Sequence, residues 1–381
     1  MRILTVSNCP LVATQGSGSV ILGFAERLRE RGHTVELYGP PDYEVLGRLT
    51  RAKSYRQAAG MLALVTRRLA RSRYDVVEFY GAESWLALSA LRRLPRRDFL
   101  LVSHSNGLES HYIGALLRAL GTWSPNGSPT RWYQRDPRPL FDLGFRSADG
   151  IVTVSEFDRD FALTHGYQPS SRVVAVPNAV DPVFLDATPR GNSSNTVGFC
   201  GSWISIKGID VMTRDVTEFL RVRPDWRFSV VGVGDGFRAE DVFPADVRAR
   251  VDVVPYLRER RQLRDWYGSV SILVAPSIYE SFSLAVAEGM CCGCAVVATR
   301  IGVAASLVDG EQVVHLPASE SPHLYEALIR LADDEALRNK LARAGREYAR
   351  RLTWDAAVQR LESTYVHWLD ELRAGHARGA A

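Results

Sequence analysis

The chain has 381 residues, 46% of them apolar and 24% charged, with a formal net charge of +4. That length points to two domains, and the balance of apolar and charged residues is that of an ordinary folded, water-soluble protein. A charge of +4 is too small to argue for nucleic acid as a partner, no apolar run is long enough to cross a bilayer, and five cysteines make no disulfide framework. The opening MRILTVSN reads as a strand and not as a cleavable signal, so a cytoplasmic location is the expectation. Cations are unevenly placed. Arg48, Arg51, Lys53, Arg56, Arg67, Arg68, Arg71 and Arg73, then Arg92, Arg93, Arg96 and Arg97, crowd the first hundred positions. They read as a solvated helix face or, more sharply, as a surface for anionic lipid or an anionic acceptor, which would bring the protein to the inner membrane face.

In chain order, Arg2–Val6 is a first buried strand. The loop after it carries Gly16-Ser17-Gly18-Ser19, a helix follows from about Val20 to Arg31, and Thr34–Tyr38 is the second strand. This strand–glycine loop–helix–strand unit opens a nucleotide-binding type of α/β domain, although it is not G-x-G-x-x-G. Small residues there let a diphosphate or a sugar approach the backbone, or simply make a tight turn. Residues 42 to 73 are polar and basic and read as helical. Asp75–Phe79 is a strand, Glu83–Leu94 a helix, and Phe99–Ser103 a strand followed directly by His104. A histidine directly after a parallel strand sits on the ligand-facing edge of the sheet, or it is a polar turn residue bound to a carbonyl. Gly121–Pro139 reads as a long loop facing an acceptor. Ser155 caps the helix after the next strand, and Arg172–Val176 is followed by Pro177-Asn178-Ala179-Val180-Asp181.

Thr188–Asn195, TPRGNSSN, is the best linker by composition. A second α/β unit begins with the strand Val197–Cys200, then Gly201-Ser202-Trp203-Ile204-Ser205-Ile206-Lys207-Gly208, then a helix from Ile209. Phe228–Val231 ends in a glycine turn. Ile272–Ala275 is a short buried strand, Ser283–Cys291 a helix, and Ala295–Ala298 the next strand. Glu280 lies in the loop at the carboxyl end of the first of these strands, and Glu288 two turns into the helix. Ligands of open parallel sheets bind outside the carboxyl ends of the strands, and the free N–H groups from Ser281 to Leu284 can bind an anionic or polar group. The plainer reading makes Glu280 a favourable charge at a helix N-terminus and Glu288 a solvated helix residue. Cys291 and Cys294 have C-x-x-C spacing but no second ligand pair, which argues against a zinc site of that type.

The stretch P-S-x-x-E-S-F-S-L-A-x-x-E-x-M-x-x-G-x-x-V-V-A-T from Pro276 to Thr299 resembles the E-x7-E block of retaining glycosyltransferases of family 4, without a gap between Glu280 and Glu288. Val176-Pro177-Asn178-Ala179-Val180-Asp181 is similar to the family's V-P-N-G-V-D, with Ala179 for Gly. The segment Gly201–Gly208 is similar to G-R-x-x-x-x-K-G, with Lys207 in place but Ser202 where the diphosphate-binding Arg stands. Ile301-Gly302-Val303-Ala304-Ala305 has one Gly and no Glu where many relatives have G-G-x-x-E.

The resemblance implies the GT-B fold: two doubly wound Rossmann-like domains facing each other across a cleft. Residues 1–185 form the acceptor side, residues 190–353 bind the nucleotide sugar, and a final helix at about 354–372 packs back on the first domain. It implies a retaining, metal-independent transfer from a nucleotide diphosphate sugar, which is a co-substrate and not a cofactor, to a glycan, lipid-linked or small-molecule acceptor. His104, Glu280 and Lys207 are then the catalytic candidates. Gly16, Gly18, Ser202, Lys207, Phe282, Ser283, Leu284 and Glu288 are the donor-binding ones. A sugar-nucleotide epimerase of the same shape, and a non-catalytic relative that binds a nucleotide sugar or glycan, are the alternative readings.

Overall fold

The computed structural model describes residues 1–13, 16–44, 52–95, 97–122, 136–188, 194–317 and 323–379. The chain divides into two compact units: Met1–Ile113 with Trp132–Ala179 and Trp354–Ala381, and Gly114–Arg131 with Val180–Thr353.

The first unit is built on strands β1 (Arg2–Ser7), β2 (Thr34–Tyr38), β3 (Val76–Tyr80), β4 (Leu100–His104), β5 (Gly150–Thr153) and β6 (Val173–Ala175). They form one parallel sheet in the order β2-β1-β3-β4-β5-β6. Every residue of β3 and β4 is buried, as expected of strands covered by helices on both faces. Leu4, Val77, Phe79, Leu88 and Leu101 share one core cluster with Met61 and Val65 of the helix Lys53–Leu69. The final helix, Trp354–Gly379, returns to this unit. Its Trp354 ring lies where a Cβ on Gly23 would stand, within 2.2 Å, and Trp368 does the same at Gly150, within 2.3 Å. Glu362 of this helix pairs with Arg31 and His33, and Arg373 pairs with Asp75.

The second unit is built on β7 (Thr196–Cys200), β8 (Arg227–Val231), β9 (Val251–Val254), β10 (Ile272–Ala275), β11 (Ala295–Thr299) and β12 (Val314–Leu316). These are also all parallel, in the order β12-β11-β10-β7-β8-β9. Phe199, Phe228, Val274 and Val297 from the strands meet Met212, Val216 and Phe219 of the helix Ile209–Val222 in its core.

Local boundaries differ from the sequence expectation in several places. The first helix begins at Gly16, so Gly16 to Ser19 form its first turn instead of a loop; the Ser19 hydroxyl donates to the Gly16 carbonyl at 2.9 Å. The helix expected over Glu83–Leu94 is a single 3-10 turn, Ala82–Ser84, followed by Trp85–Arg92. The last helix runs on to Gly379. Most of the expected linker (189–193) and most of the expected acceptor-facing loop (123–135) lie outside the described residues.

Candidate functional site

In each sheet the chain adds strands on one side, then returns to the other side of its first strand. This creates a switch point where the loops after two neighbouring strands diverge, the usual place for a ligand in an open α/β sheet. In the second unit it falls between β7 and β10, and the loops after these strands carry Lys207 and Glu280.

Lys207 ends a single turn, Ser205–Lys207, and Gly208 follows at φ 72. A Cβ on Gly208 would stand 2.0 Å from the Pro276 carbonyl oxygen, so only glycine lets the two loops approach this closely. The Ile278 N–H donates to the Ile206 carbonyl at 2.8 Å and ties them together. Lys207 Nζ is ion-paired with Glu280 Oε1, and the Ser277 hydroxyl donates to the same oxygen at 3.3 Å. Both side chains keep about a fifth of their surface exposed (24% and 20%). Beyond Glu280, Phe282 is buried, and its carbonyl accepts the Val303 N–H at 2.7 Å. Ser283 is left-handed at φ 70, ψ 78, and the helix Leu284–Cys291 starts from it with no side-chain cap. Ser283 and Leu284 are half-buried, and Ser202 is exposed.

Glu288 lies inside the same helix and is 4% exposed. Arg260 Nη1 donates to its Oε1 at 3.0 Å and the Tyr267 hydroxyl to its Oε2 at 3.3 Å. Burial pushes the carboxyl up to about 7, against the opposing pull of the Arg260 charge. Glu280 and Glu288 therefore have separate partner sets. The plainer reading of Glu288 as a solvated helix residue does not hold. Sequence reasoning missed Arg260, which stands 28 positions before its partner on the helix Arg260–Tyr267 and carries no motif signal.

In the first unit, Gly18 has a packing reason: a Cβ there would stand 2.6 Å from the Pro10 carbonyl oxygen and 2.8 Å from the Val12 nitrogen. Around Gly16 the space is open. His104 does not follow β4 but closes it, and its side chain is fully buried. Its Nδ1 is 2.8 Å from Glu78 Oε1, and its ring stacks on Tyr80 and meets Phe24 edge-on. The expected place on an exposed turn is corrected: a ring at this position of the strand points into the layer under the first helix, and Asn106 and Gly107 occupy the turn. Several of the crowded cations are spent in ion pairs, Arg68 with Glu36, Arg56 with Glu44, and both Arg92 and Arg97 with Asp149. Lys53, Arg67, Arg71 and Arg73 are exposed.

Among the described residues, no three His, Cys, Asp or Glu side chains gather as a metal site. Burial pushes the Cys200, Cys291 and Cys292 thiols up to about 12, which leaves them protonated. Among the described residues no helix is long and apolar enough to cross a membrane.

Two parallel six-stranded sheets flanked by helices are the two Rossmann-like domains of the GT-B glycosyltransferase fold. The sequence matches the Glycosyltransferase Family 4 domain over residues 14–184 and the Glycosyl transferases group 1 domain over residues 194–334, and the chain belongs to that family. It is similar to a D-inositol 3-phosphate glycosyltransferase of Corynebacterium diphtheriae, 28% identical over 234 residues, covering 56% of this chain and 55% of the relative. It is also similar to an uncharacterized glycosyltransferase of Methanocaldococcus jannaschii, 24% identical over 61% of this chain and 64% of the relative. The match thus spans somewhat more than half the length of these relatives. In structure it is similar to a sucrose-phosphate synthase from Thermosynechococcus elongatus, with a TM-score of 0.76 and 17% identity over 97% of this chain and 99% of the other. A second structural neighbour is Anabaena Alr3699/HepE in complex with UDP-glucose, with a TM-score of 0.68 and 17% identity over 96% of this chain and all of the other.

Proposed function

We propose that the protein transfers a sugar from a nucleotide diphosphate sugar to an acceptor hydroxyl, with retention at the anomeric carbon and without a catalytic metal. The observation that carries this reading is the Lys207–Glu280 pair at the switch point of the second unit, with Glu288 on the adjoining helix. The anomeric C–O bond to the diphosphate breaks and a bond from the same carbon to the acceptor oxygen forms. The acceptor proton leaves with the nucleoside diphosphate. Negative charge grows on the leaving phosphate, and a cation beside it lowers the barrier. Lys207 and the helix N–H groups from Ser281 to Leu284 are suited to that task. Glu280 would hold hydroxyls of the donor sugar and Glu288 the ribose. No second carboxylate is proposed as nucleophile; attack comes from the face of the departing phosphate, which accepts the proton. The UDP-glucose bound by the Anabaena neighbour supports a nucleotide sugar as donor.

The acceptor is a glycan, a lipid-linked or a small-molecule hydroxyl compound. The exposed Lys53, Arg67, Arg71 and Arg73 support a contact with an anionic membrane face. Exposed Ser202, where the family carries a phosphate-binding Arg, favours a second reading: a non-catalytic relative that binds the nucleotide sugar. Calorimetry with UDP and UDP-glucose, followed by product analysis for the anomer, separates the two. Binding with neither transfer nor donor hydrolysis would leave only the second, and no binding of any nucleoside diphosphate in a wider set would end both.

A further inference from the structure

Glu288 is assigned above to the donor as an acceptor of ribose hydrogen bonds, and a charged carboxylate does this best. Yet it is 4% exposed, and burial works against that charge. The groups around the carboxyl decide the balance. From the helix Arg260–Tyr267, Arg260 Nη1 donates to Oε1 at 3.0 Å and the Tyr267 hydroxyl to Oε2 at 3.3 Å. Asp181, which caps the short helix Pro182–Leu185 by accepting the Val183 N–H at 3.0 Å, adds a repelling charge. Cys200 closes β7 beside the Tyr267 hydroxyl, and burial keeps its thiol protonated. The neighbouring strands β10 and β11 carry no titratable side chain. Arg346 of the helix Glu335–Ala349 is directed to the Cys291 carbonyl, at 3.1 Å. Among the described residues Arg260 is therefore the one cation that hydrogen-bonds Glu288.

Arg260 is itself held from two further sides. Its Nε lies 4.0 Å from Asp181 Oδ2, and its guanidinium carbon 5.8 Å from the centre of the buried Phe184 ring. It keeps 40% of its side-chain surface exposed, so it reaches Glu288 from the solvent side without being buried as a charge itself. The Cys200 thiol senses the charges of Glu288, Lys207 and Arg260 together, which gathers all three around the end of β7. With Arg260 in place the Glu288 carboxyl sits at about 7. Without it, only the Tyr267 hydroxyl would oppose burial and the Asp181 charge, and the carboxyl would rise further. A protonated Glu288 has lost both its charge and part of its capacity to accept.

We propose that Arg260 is a positioning residue for the donor: it holds Glu288 as an oriented carboxylate, free to accept the ribose hydroxyls through its remaining lone pairs, and does not itself touch the nucleotide. The proposal rests on the transferase reading, in which Glu288 holds the ribose.

The test uses the whole chain with UDP as probe, by calorimetry at pH 7.5 and 9.5, with the thermal midpoint recorded to show that each variant is folded. The ionisation of UDP itself is common to all proteins and cancels in the ratio of affinities. Arg260→Gln keeps a hydrogen-bond donor without the charge. It binds UDP about tenfold more weakly than wild type at pH 7.5, and the deficit shrinks to within about threefold at pH 9.5, where Glu288 ionises unaided. Arg260→Lys, whose ammonium can make the single bond that Nη1 makes, stays within about threefold of wild type at both. In a Glu288→Gln background, Arg260→Gln lowers the affinity no further. Wild-type affinity of Arg260→Gln at pH 7.5, a deficit that is the same at both pH values, or a deficit that persists in the Glu288→Gln background overturns the proposal; the last would mean that Arg260 touches the nucleotide. The carboxyl 13C resonance of Glu288 tells this failure from failure of the transferase reading. If wild type binds no UDP but the titration of that resonance moves up in Arg260→Gln, the transferase reading falls and the hold of Arg260 on Glu288 stands. An unmoved titration ends the hold, whether or not UDP binds.

Discussion

Lys207 and Glu280 meet as an ion pair between the loops that follow β7 and β10, the strands that flank the switch point of the second sheet. The cation is thus pre-positioned on a carboxylate. On the proposed function, a diphosphate arriving there would share Lys207 with Glu280 or displace it.

On the proposed function, with Ser202 in place of an arginine, Lys207 is expected to carry most of the compensation for leaving-group charge. Lys207→Ala is expected to cost on the order of 2–4 kcal/mol of transition-state stabilisation, as for loss of a key donor to a developing charge. Its partner Glu280 is partly exposed, so the thermal midpoint should move little. Steady-state kcat/KM for transfer or donor hydrolysis is the measurement. Near-normal turnover would assign the charge to another group.

The two carboxylates should separate by function because their partners do. Glu280→Gln keeps shape but weakens acceptor strength, and it should depress transfer while leaving nucleoside diphosphate affinity nearly intact. Glu288→Ala should weaken the nucleoside diphosphate itself about ten- to a hundredfold, since hydrogen bonds to charged groups contribute roughly 1.5–3 kcal/mol. Calorimetry on both variants decides it, and the opposite pattern reverses the assignment.

Glu288 also gives the stability a pH signature. Its folded carboxyl is raised to about 7 from the ordinary 4.5, so the folded state holds the proton more tightly than the unfolded chain. That contribution is fully present below about pH 4.5 and is lost as pH rises through 7; its size is about 3 kcal/mol. Glu288→Gln stays neutral throughout. The stability difference between wild type and variant should shift in favour of the variant between pH 5 and 8, measured by urea unfolding. A pH-independent difference would show that Arg260 holds Glu288 ionised.

Ser283 pays for the shape of the loop between Glu280 and the helix with a left-handed backbone, at φ 70. Ser283→Gly removes the clash of Cβ with its own backbone, worth roughly 1–2 kcal/mol, against a glycine entropy cost of about 0.5–1 kcal/mol. The net gain should raise the thermal midpoint by a degree or more. A lower midpoint would mean that the serine hydroxyl is needed.

Removing one partner of the buried Glu78–His104 pair should cost about 3–5 kcal/mol, because it strands the other charge or polar group. His104→Ala is therefore expected to destabilise the protein, read by urea unfolding, while nucleoside diphosphate affinity in the folded fraction persists. A variant with wild-type stability and lost turnover would return His104 to a direct role in the reaction.

Most of the strands, though not β12 (Val314–Leu316), and the loops that carry Lys207 and Glu280 were legible in the chain because each depends on local information. Short Val/Ile/Leu runs such as ILVA and AVVA can satisfy their apolar faces only between helices, and glycines and prolines after them mark the loops where ligands bind. Gly208 is readable in the same way, since a motif keeps it next to Lys207. Other features rest on side chains that are far apart in sequence and are made neighbours by strand order. Arg260 and Glu288 are one case; Glu78 and His104 on neighbouring strands are another. His104 was placed on a turn because one residue at a strand end decides whether a side chain points into the helix layer or out to solvent, and alternation along a strand cannot be phased from a short apolar run. The order of elements was thus determined by the sequence, through local propensity and apolar spacing. Which polar groups meet, and which carboxyls therefore keep their protons, was decided only by the tertiary structure, because burial and charge proximity are properties of the assembled sheet edge and not of any stretch of chain.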